Sequence, residues 1–176
     1  IGEESGALEE VERKMIHGII SFEETRVYEI MVPRTDMDAV SSEATVAEAM
    51  RIFQEHGHSR VPVYDESPDD IVGILYVKDT IPSLLAGNLT VPVSTIMRQA
   101  LFVPESMRVV ELFNTMKGRH VHMAIVVDEY GGVAGIATLE DLLEEIVGKI
   151  QDEYDKEKPT LLPDEDGSYL VQGHLS

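Results

Sequence analysis

Apolar residues between residues 45 and 88 follow helical spacing, then strand spacing, then helical spacing again. Thr45 and Glu48 form a predicted capping box ahead of the apolar face Val46, Met50 and Phe53, and Gly57 ends that helix. β-rich runs at 61–64 and 71–75 flank a turn at 66–70, and a second helix over 79–85 is closed by Gly87 and Asn88. The pattern predicts a unit with the order helix, strand, strand, helix.

The same unit occurs twice. Residues 71–79 (IVGILYVKD) return at 133–141 (VAGIATLED), with both glycines and both aspartates displaced by 62 positions. Residues 60–65 also correspond to 122–128, and the apolar face of the first helix corresponds to Val109, Phe113 and Met116. Upstream, residues 29–33 correspond to 95–97, and an arginine follows each of these two segments, at 34 and at 98. The second hairpin turn is expected at 128–132. One unit alone would leave a sheet face uncovered, so we expect the two to pack sheet to sheet.

Helices are also predicted at both flanks of this repeat. Residues 8–31 form one amphipathic helix, with Leu8, Val11, Met15, Ile16 and Ile19 on one side. It either covers its own domain or couples to a preceding membrane domain or a second copy, and the sequence does not separate these alternatives. The last helix has Glu140, Asp141, Glu144 and Glu145 outside, and its apolar stripe is Leu139, Leu142, Leu143, Ile146, Val147 and Ile150.

Composition excludes several classes of function. Among 176 residues, 14 Lys+Arg against 33 Asp+Glu give a formal net charge of −19, which argues against nonspecific nucleic-acid binding. Cysteine is absent, so disulfides, thiolate metal sites and cysteine nucleophiles are excluded. No stretch approaches about 20 consecutive apolar residues, so the segment is expected to be soluble. It opens at Ile1 and ends on a strand-like run at 169–175, which indicates a piece of a longer protein.

Several motifs, in order, resemble a tandem pair of cystathionine β-synthase (CBS) domains, a Bateman module. The motifs are 30–34 (IMVPR), 58–64 (HSRVPVY), 75–79 (LYVKD), 122–132 (HMAIVVDEYGG) and 135–141 (GIATLED). They are most similar to those of the CorC/HlyC group of magnesium and cobalt efflux or haemolysin-related proteins. The resemblance implies an α+β fold of two β-α-β-β-α units packed as a pseudo-twofold pair and flanked by an N-terminal helix. It implies the domains 1–28 (linker helix), 29–88 and 89–152 (CBS units) and 153–176 (acidic linker and the start of a C-terminal domain).

The resemblance also implies a function. Such modules bind adenine nucleotides, ATP or AMP, in clefts between the two units. Many hang on the cytoplasmic face of the membrane below a transmembrane transport domain, and they pair as disc-like homodimers. We therefore expect a regulatory module rather than an enzyme, since no nucleophile motif, P-loop or zinc-ligand spacing is present. The alternatives are a ligand-free dimerisation scaffold and, from a third class, a nucleotide hydrolase.

The nucleotide site is expected around the second hairpin. Thr138 and Asp141 form a capping box, and a helix N-terminus also presents N–H groups to phosphate while a carboxylate accepts ribose hydroxyls; Glu140 lies between them. In the first copy Tyr76 replaces the threonine beside Lys78 and Asp79, and its hydroxyl lies too far from the backbone to cap. We expect unequal clefts, with the Thr138 and Asp141 cleft competent and the Asp79 cleft weak or empty.

Phosphates need local positive charge in so acidic a chain. Arg34 and Arg60 match the family's phosphate-side positions, and His58, Arg98, His120 and His122 are further candidates. Taken singly, each is more often a solvated surface residue. The adenine walls implied by the resemblance, which are also ordinary core positions, are Met37, Val40, Val61, Pro62, Met123, Ala124 and Ile136.

No resident metal site is predicted. The acidic runs 69–70, 152–155 and 164–166 offer oxygens of the kind that Mg²⁺ prefers, but such runs are usually solvated faces and linkers. A Mg²⁺ ion carried on the phosphates of ATP is the expected metal.

Overall fold

A computed structural model describes residues 2–154, 162–163 and 169–170, with side chains from residue 9 to residue 148. The chain divides into two compact units, residues 23–143, and residues 1–22 together with 144–176. Among the described residues, no helix combines the length and the hydropathy that crossing a bilayer requires.

The unit formed by residues 23–143 contains both sequence repeats. Each repeat has the order strand, helix, strand, strand, helix, over residues 40–85 in the first repeat and from residue 101 in the second, so the predicted β-α-β-β-α fold is confirmed. The bounds are α2 Val27–Ile30, β1 Val32–Pro33, β2 Val40–Ser41, α3 Val46–His56, β3 Arg60–Tyr64, β4 Ile71–Tyr76, α4 Val77–Leu85, β5 Leu101–Pro104, α5 Val109–Arg119, β6 Met123–Val127, β7 Val133–Thr138 and α6 Leu139–Tyr154.

Local sequence signals set the ends of these elements. Thr45 accepts a hydrogen bond from the Glu48 backbone while the Glu48 carboxylate accepts one from the Thr45 backbone, so α3 begins at the predicted capping box. The helix ends at Gly57, whose φ of 69° is the left-handed conformation that glycine adopts without a Cβ penalty. In the second hairpin Asp128 accepts hydrogen bonds from the backbones of Tyr130 and Gly132, which confirms the predicted turn.

The segment that precedes each repeat, here called its leading segment, pairs with the sheet of the other repeat. The sheet β2-β3-β4 pairs β2 parallel and β4 antiparallel to β3, and β5-β6-β7 repeats that arrangement. β1, which leads the first repeat, pairs antiparallel with β7 of the second. Arg98, which leads the second, makes a bridge with Ile74 of β4 in the first. The exchange gives both sheets the same plan.

The two repeated glycines are required by this exchange. A Cβ atom at Gly135 would collide with the Val32 carbonyl oxygen and lie 3.2 Å from the Pro33 Cα atom. A Cβ atom at Gly73 would lie 2.7 Å from the Met97 sulfur and 2.9 Å from the Arg98 carbonyl oxygen. Both glycines therefore permit a second backbone to approach the sheet.

The sheets pack face to face, as predicted. One core cluster joins β4 of the first repeat to β6 and β7 of the second, and its buried members are Ile71, Ile74, Met123, Ile125, Val133 and Ile136. Another lies between α3 and the first sheet, with Val40, Ala49, Phe53, Val61, Val63, Leu75 and Val93 buried.

The single helix predicted over residues 8–31 is wrong. The structure has α1 over Gly2–Glu24 and the short α2, separated by Thr25 and Arg26. Arg26 is extended and bridges Arg108, the Val109 backbone donates to the Thr25 carbonyl, and the Val27 backbone donates to the Met107 carbonyl. These long-range bonds replace the intrahelical ones at this position, and Val27 is fully buried.

The other compact unit contains α1 and the end of α6. Gly18 of α1 lies against Ile146, since a Cβ atom at Gly18 would be 3.1 Å from the Ile146 carbonyl oxygen. The predicted apolar face of α1 is largely exposed, with Met15 at 42% and Ile16 at 59%; Leu8 lies outside the described side chains. In the tail, Leu162–Pro163 pairs antiparallel with Tyr169–Leu170, and the rest of the predicted strand at 169–175 lies outside the described residues.

The predicted apolar stripe of α6 is only partly buried. Leu142 is fully buried, whereas Leu143 and Val147 are each 45% exposed, and Ile150 lies outside the described side chains. Successive helical residues are separated by about 100°, so a stripe that includes both Leu142 and Leu143 is wider than the face that packs.

Candidate functional site

The first candidate site is a cleft of about 320 Å³ to which both repeats contribute, here called the Asp141 cleft. The first repeat supplies the segment after β1, the turn after α3 and the start of β3, while the second supplies β6, the end of β7 and the first turn of α6. Its lining is Val32, Asp36, Met37, Asp38, Gly57, His58, Ser59, Arg60, Pro62, Met123, Ile136, Thr138, Glu140 and Asp141.

The predicted capping box lies in this cleft. The Asp141 backbone donates to the Thr138 hydroxyl at 3.2 Å, and the Thr138 backbone donates to Oδ2 of Asp141 at 3.1 Å. The Leu139 N–H donates to the His122 carbonyl at 2.9 Å. The box therefore holds the Asp141 carboxylate rigidly at the cleft, and three of the N–H groups at this helix start already have acceptors, which limits their use for phosphate.

Carboxylates outnumber cations along the Asp141 cleft. Asp36, Asp38, Glu140 and Asp141 line it, and the basic groups there are Arg60 and His58. Arg60 is only 17% exposed; it lies 3.3 Å from Glu140 and 3.1 Å from Nδ1 of His122. Its Nε atom is buried and has no hydrogen-bond partner among the described residues.

A second, smaller cleft of about 150 Å³ lies beside Tyr76 and is here called the Tyr76 cleft. The Arg60, Lys78 and Arg98 cations lie 5.6, 5.4 and 4.6 Å from the centre of the Tyr76 ring, within range of cation–π attraction. Its lining is Ser59, Arg60, Tyr76, Val77, Lys78, Arg98, His120 and His122, so this cleft is basic where the first is acidic.

Beside this cleft, Asp79 is held by an arginine. Arg98 donates from Nε at 2.6 Å and from its terminal nitrogen at 2.8 Å. These bonds hold the pKa of Asp79 below its ordinary value and raise that of Arg98. Tyr76 makes no side-chain cap for α4, as predicted.

Arg34 occupies the corresponding position in the first repeat but makes a different contact. It forms an ion pair with Asp69 in the β3–β4 turn and is about half exposed, and it is not among the residues that line either cleft. Asp141 therefore does not have the arginine partner that Asp79 has.

The predicted adenine walls divide into two groups. Met37, Pro62, Met123 and Ile136 line the Asp141 cleft. Val40, Val61 and Ala124 are at most 2% exposed in the core and do not line it. Sequence reasoning missed Asp36, Asp38 and Ser59, although Ser59 stands inside the quoted 58–64 motif and could have been found there.

Two curated relatives match most of this chain. Hemolysin C of Brachyspira hyodysenteriae is 42% identical over 165 residues, which cover 94% of this chain and 60% of that protein. Magnesium and cobalt efflux protein CorC of Escherichia coli (strain K12) is 41% identical over 150 residues, which cover 85% of this chain and 51% of that protein. The chain thus spans about half to three fifths of these relatives.

Solved structures share the fold. The CBS domain of the bacterial CNNM/CorC family Mg²⁺ transporter in complex with ATP is 49% identical, with a TM-score of 0.75 over 78% of this chain and 97% of that one. A CBS-domain pair with bound AMP from Klebsiella pneumoniae is 27% identical, with a TM-score of 0.59 over 71% of this chain and all of that one.

The fold is a tandem pair of β-α-β-β-α repeats. Each repeat pairs its first segment with the sheet of the other, and both repeats line the clefts. The family model of the CBS domain matches residues 27–85 and 93–148, one copy on each repeat. The chain belongs to the CBS-domain family, as a tandem CBS pair of the CorC/HlyC group.

Proposed function

We propose that this CBS pair is a regulatory module that binds one adenine nucleotide, ATP or AMP, in the Asp141 cleft. The observation that carries the proposal is the contrast between the two repeat-equivalent aspartates. Asp79 is bound by Arg98, whereas Asp141 lines a larger cleft and has no arginine partner there. Nucleotide complexes of related CBS domains support the ligand class.

The lining divides the nucleotide among three kinds of contact. The Asp141 carboxylate accepts hydrogen bonds from ribose hydroxyls, and the Thr138 hydroxyl donates to one. The capping box holds both side chains in position for these contacts. Arg60 and His58 contact the phosphates, and Glu140 borders that end. The apolar side chains in contact with adenine are Met37, Pro62, Met123 and Ile136.

The acidity of the cleft makes the charge of the ligand decisive. A polyphosphate entering among four carboxylates is repelled unless a cation accompanies it. We therefore expect Mg²⁺ to travel with ATP, whereas AMP, with fewer negative charges, needs it less. Arg60 lines both clefts. The other basic side chains of the Tyr76 cleft do not line the Asp141 cleft; they are Lys78, Arg98, His120 and His122.

Regulation follows if the nucleotide has different affinities for two arrangements of the repeats. Both repeats line the cleft, so a bound nucleotide contacts both and biases their packing. In the full-length protein we propose that this bias reaches a transmembrane transport domain, with the module on the cytoplasmic face of the membrane. The relatives CorC, a magnesium and cobalt efflux protein, and the bacterial CNNM/CorC family Mg²⁺ transporter support that assignment.

A dimerisation scaffold is the second candidate. The exposed apolar residues of α1, Met15, Ile16, Ile19 and Ile20, favour an assembly role, since contiguous exposed apolar surface marks interaction sites. A homodimer is compatible with both functions, so nucleotide response rather than dimerisation separates them. We expect no hydrolysis of ATP.

The proposal is tested by thermal unfolding with ATP, ADP and AMP, each with and without Mg²⁺. A ligand present at 100 times its Kd stabilises the folded state by about 2.7 kcal/mol, so a rise in Tm is expected. The rise with ATP should be larger with Mg²⁺ than with EDTA, and Thr138→Ser should retain it while Thr138→Val loses most of it. An unchanged Tm at millimolar nucleotide would leave the scaffold as the function.

A further inference from the structure

Three potential metal ligands meet at the edge of the Asp141 cleft. His56 is the last residue of α3, and the left-handed Gly57 turns the chain so that His58 follows on the same side. Asp38 comes from the segment between β1 and β2. Asp38 lies 18 and 20 positions before the two histidines in the sequence, and the fold brings it to them.

The donor atoms converge on one point. Oδ2 of Asp38 lies 3.1 Å from Nδ1 of His56 and 2.7 Å from Nε2 of His58, and all three donor atoms lie within 4.8 Å of one another. The imidazole rings stack with centroids 5.8 Å apart and an angle of 8° between their planes. A Zn²⁺ ion bound at about 2.0–2.2 Å holds its ligands roughly 3–3.5 Å apart, so small side-chain rotations complete the site.

We propose that Asp38, His56 and His58 form a binding site for a divalent transition-metal ion of the Zn²⁺ class. Two imidazoles and one carboxylate suit Zn²⁺ or Co²⁺, whereas Mg²⁺ selects oxygen ligands. Each side chain is 35–44% exposed, so an ion enters directly from solvent. Three protein ligands leave a coordination position open, and because Asp38 and His58 also line the Asp141 cleft, that position is at its rim.

The site does not require a nucleotide, because its three ligands are side chains of this chain, and it shares His58 with the proposed phosphate contacts. Within the part of the chain that the structure describes, it is the group of three His, Cys, Asp or Glu side chains whose donor atoms converge in this way. By sequence, Asp69 and Asp70 offer carboxylate oxygens of the kind that Mg²⁺ prefers. In the structure Asp69 forms an ion pair with Arg34, and the Asp70 backbone N–H donates to the Ser67 carbonyl within a turn.

The test is a calorimetric titration of the nucleotide-free chain with Zn²⁺ alone, repeated with Co²⁺ while visible absorption is recorded. We expect one ion per chain and a Co²⁺ spectrum typical of imidazole ligands. His56→Gln, His58→Gln and Asp38→Asn should each weaken Zn²⁺ binding by at least about tenfold. His17→Gln, which removes an exposed histidine of α1, is the matched control and should leave the affinity unchanged.

Two results would overturn the site: Zn²⁺ heats that do not saturate at submillimolar metal, or an affinity that all three substitutions leave intact. If Mg²⁺ displaced bound Zn²⁺ as readily as Co²⁺ does, the assignment to a transition-metal ion would be overturned. The Asp141→Ala protein should bind Zn²⁺ like the parent, and AMP titrations of the His56→Gln protein in EDTA should match those of the parent in EDTA. Failure of nucleotide binding and failure of the metal site are thus seen in separate experiments. Circular dichroism melting confirms that each variant folds.

Discussion

At the scale of single residues, the two aspartates of the repeat have opposite surroundings. Arg98 donates two hydrogen bonds to Asp79, and its guanidinium also lies over Tyr76, so this carboxylate is neutralised within the protein. Asp141 is fixed by Thr138 instead and borders three other carboxylates in the cleft. A polar ligand that needs a carboxylate acceptor therefore gains more at Asp141, because binding at Asp79 would first have to displace Arg98.

The Asp79–Arg98 pair predicts a pH dependence of stability. The hydrogen bonds from Arg98 lower the pKa of Asp79 from 3.8, so its contribution to stability is complete above that value and is lost as the pH falls through the lowered one. The Tm difference between the parent and Asp79→Asn should therefore shrink as the pH is lowered from about 5 to about 2. The pair is largely solvated, so the difference is small at every pH.

Arg98→Gln removes the same interaction from the other side and is the control for this experiment. It should reproduce the pH-dependent part of the Asp79→Asn effect, measured by thermal melts across the same range. Parallel curves for parent and variants would show that the pair contributes nothing that depends on pH.

At the scale of elements, the exchange of leading segments is what most constrains the sequence. β1 lies on β7 only because residue 135 has no side chain, and Arg98 reaches β4 only because residue 73 has none. The identical spacing of these glycines in the two repeats follows from one geometric requirement applied twice.

Gly135→Ala should therefore destabilise the fold by at least about 2 kcal/mol, since its Cβ meets backbone atoms that cannot rotate away. Gly118→Ala is the matched control. Gly118 lies exposed inside α5 with open space around it, so alanine there should stabilise the helix by about 0.5–1 kcal/mol. Urea unfolding of both variants measures the two effects. Equal stability of Gly135→Ala and the parent would show that β1 does not hold this position.

Elements with local determinants could be predicted from the sequence. The capping boxes at Thr45 and Thr138, the end of α3 at Gly57 and the Asp128 turn depend on residues a few positions apart. The break between α1 and α2 could not be predicted, because it is made by hydrogen bonds from residues 25–27 to residues 107–109. Long-range backbone pairing overrides local helical spacing there.

At the scale of the whole molecule, the repeat and the resemblance predicted the fold and several of the residues that line the Asp141 cleft. They could not predict which carboxylate each leading arginine contacts. Arg34 and Arg98 hold equivalent positions, yet one pairs with Asp69 in a turn that is specific to the first repeat and the other with Asp79. The β3–β4 connection, which carries Asp69, is one residue longer than the β6–β7 connection, and the different partners of the two arginines accompany this difference.

The proposed function assigns one nucleotide per chain to the Asp141 cleft, and a titration of the purified chain with ATP and Mg²⁺ tests this most directly. We predict one nucleotide per chain. Asp141→Ala should weaken binding by at least about tenfold, since a hydrogen bond to a charged group contributes about 1.5–3 kcal/mol. Asp79→Ala, the repeat-equivalent control, should bind within about twofold of the parent. Two nucleotides per chain, or binding that Asp79→Ala abolishes and Asp141→Ala leaves intact, would contradict the account.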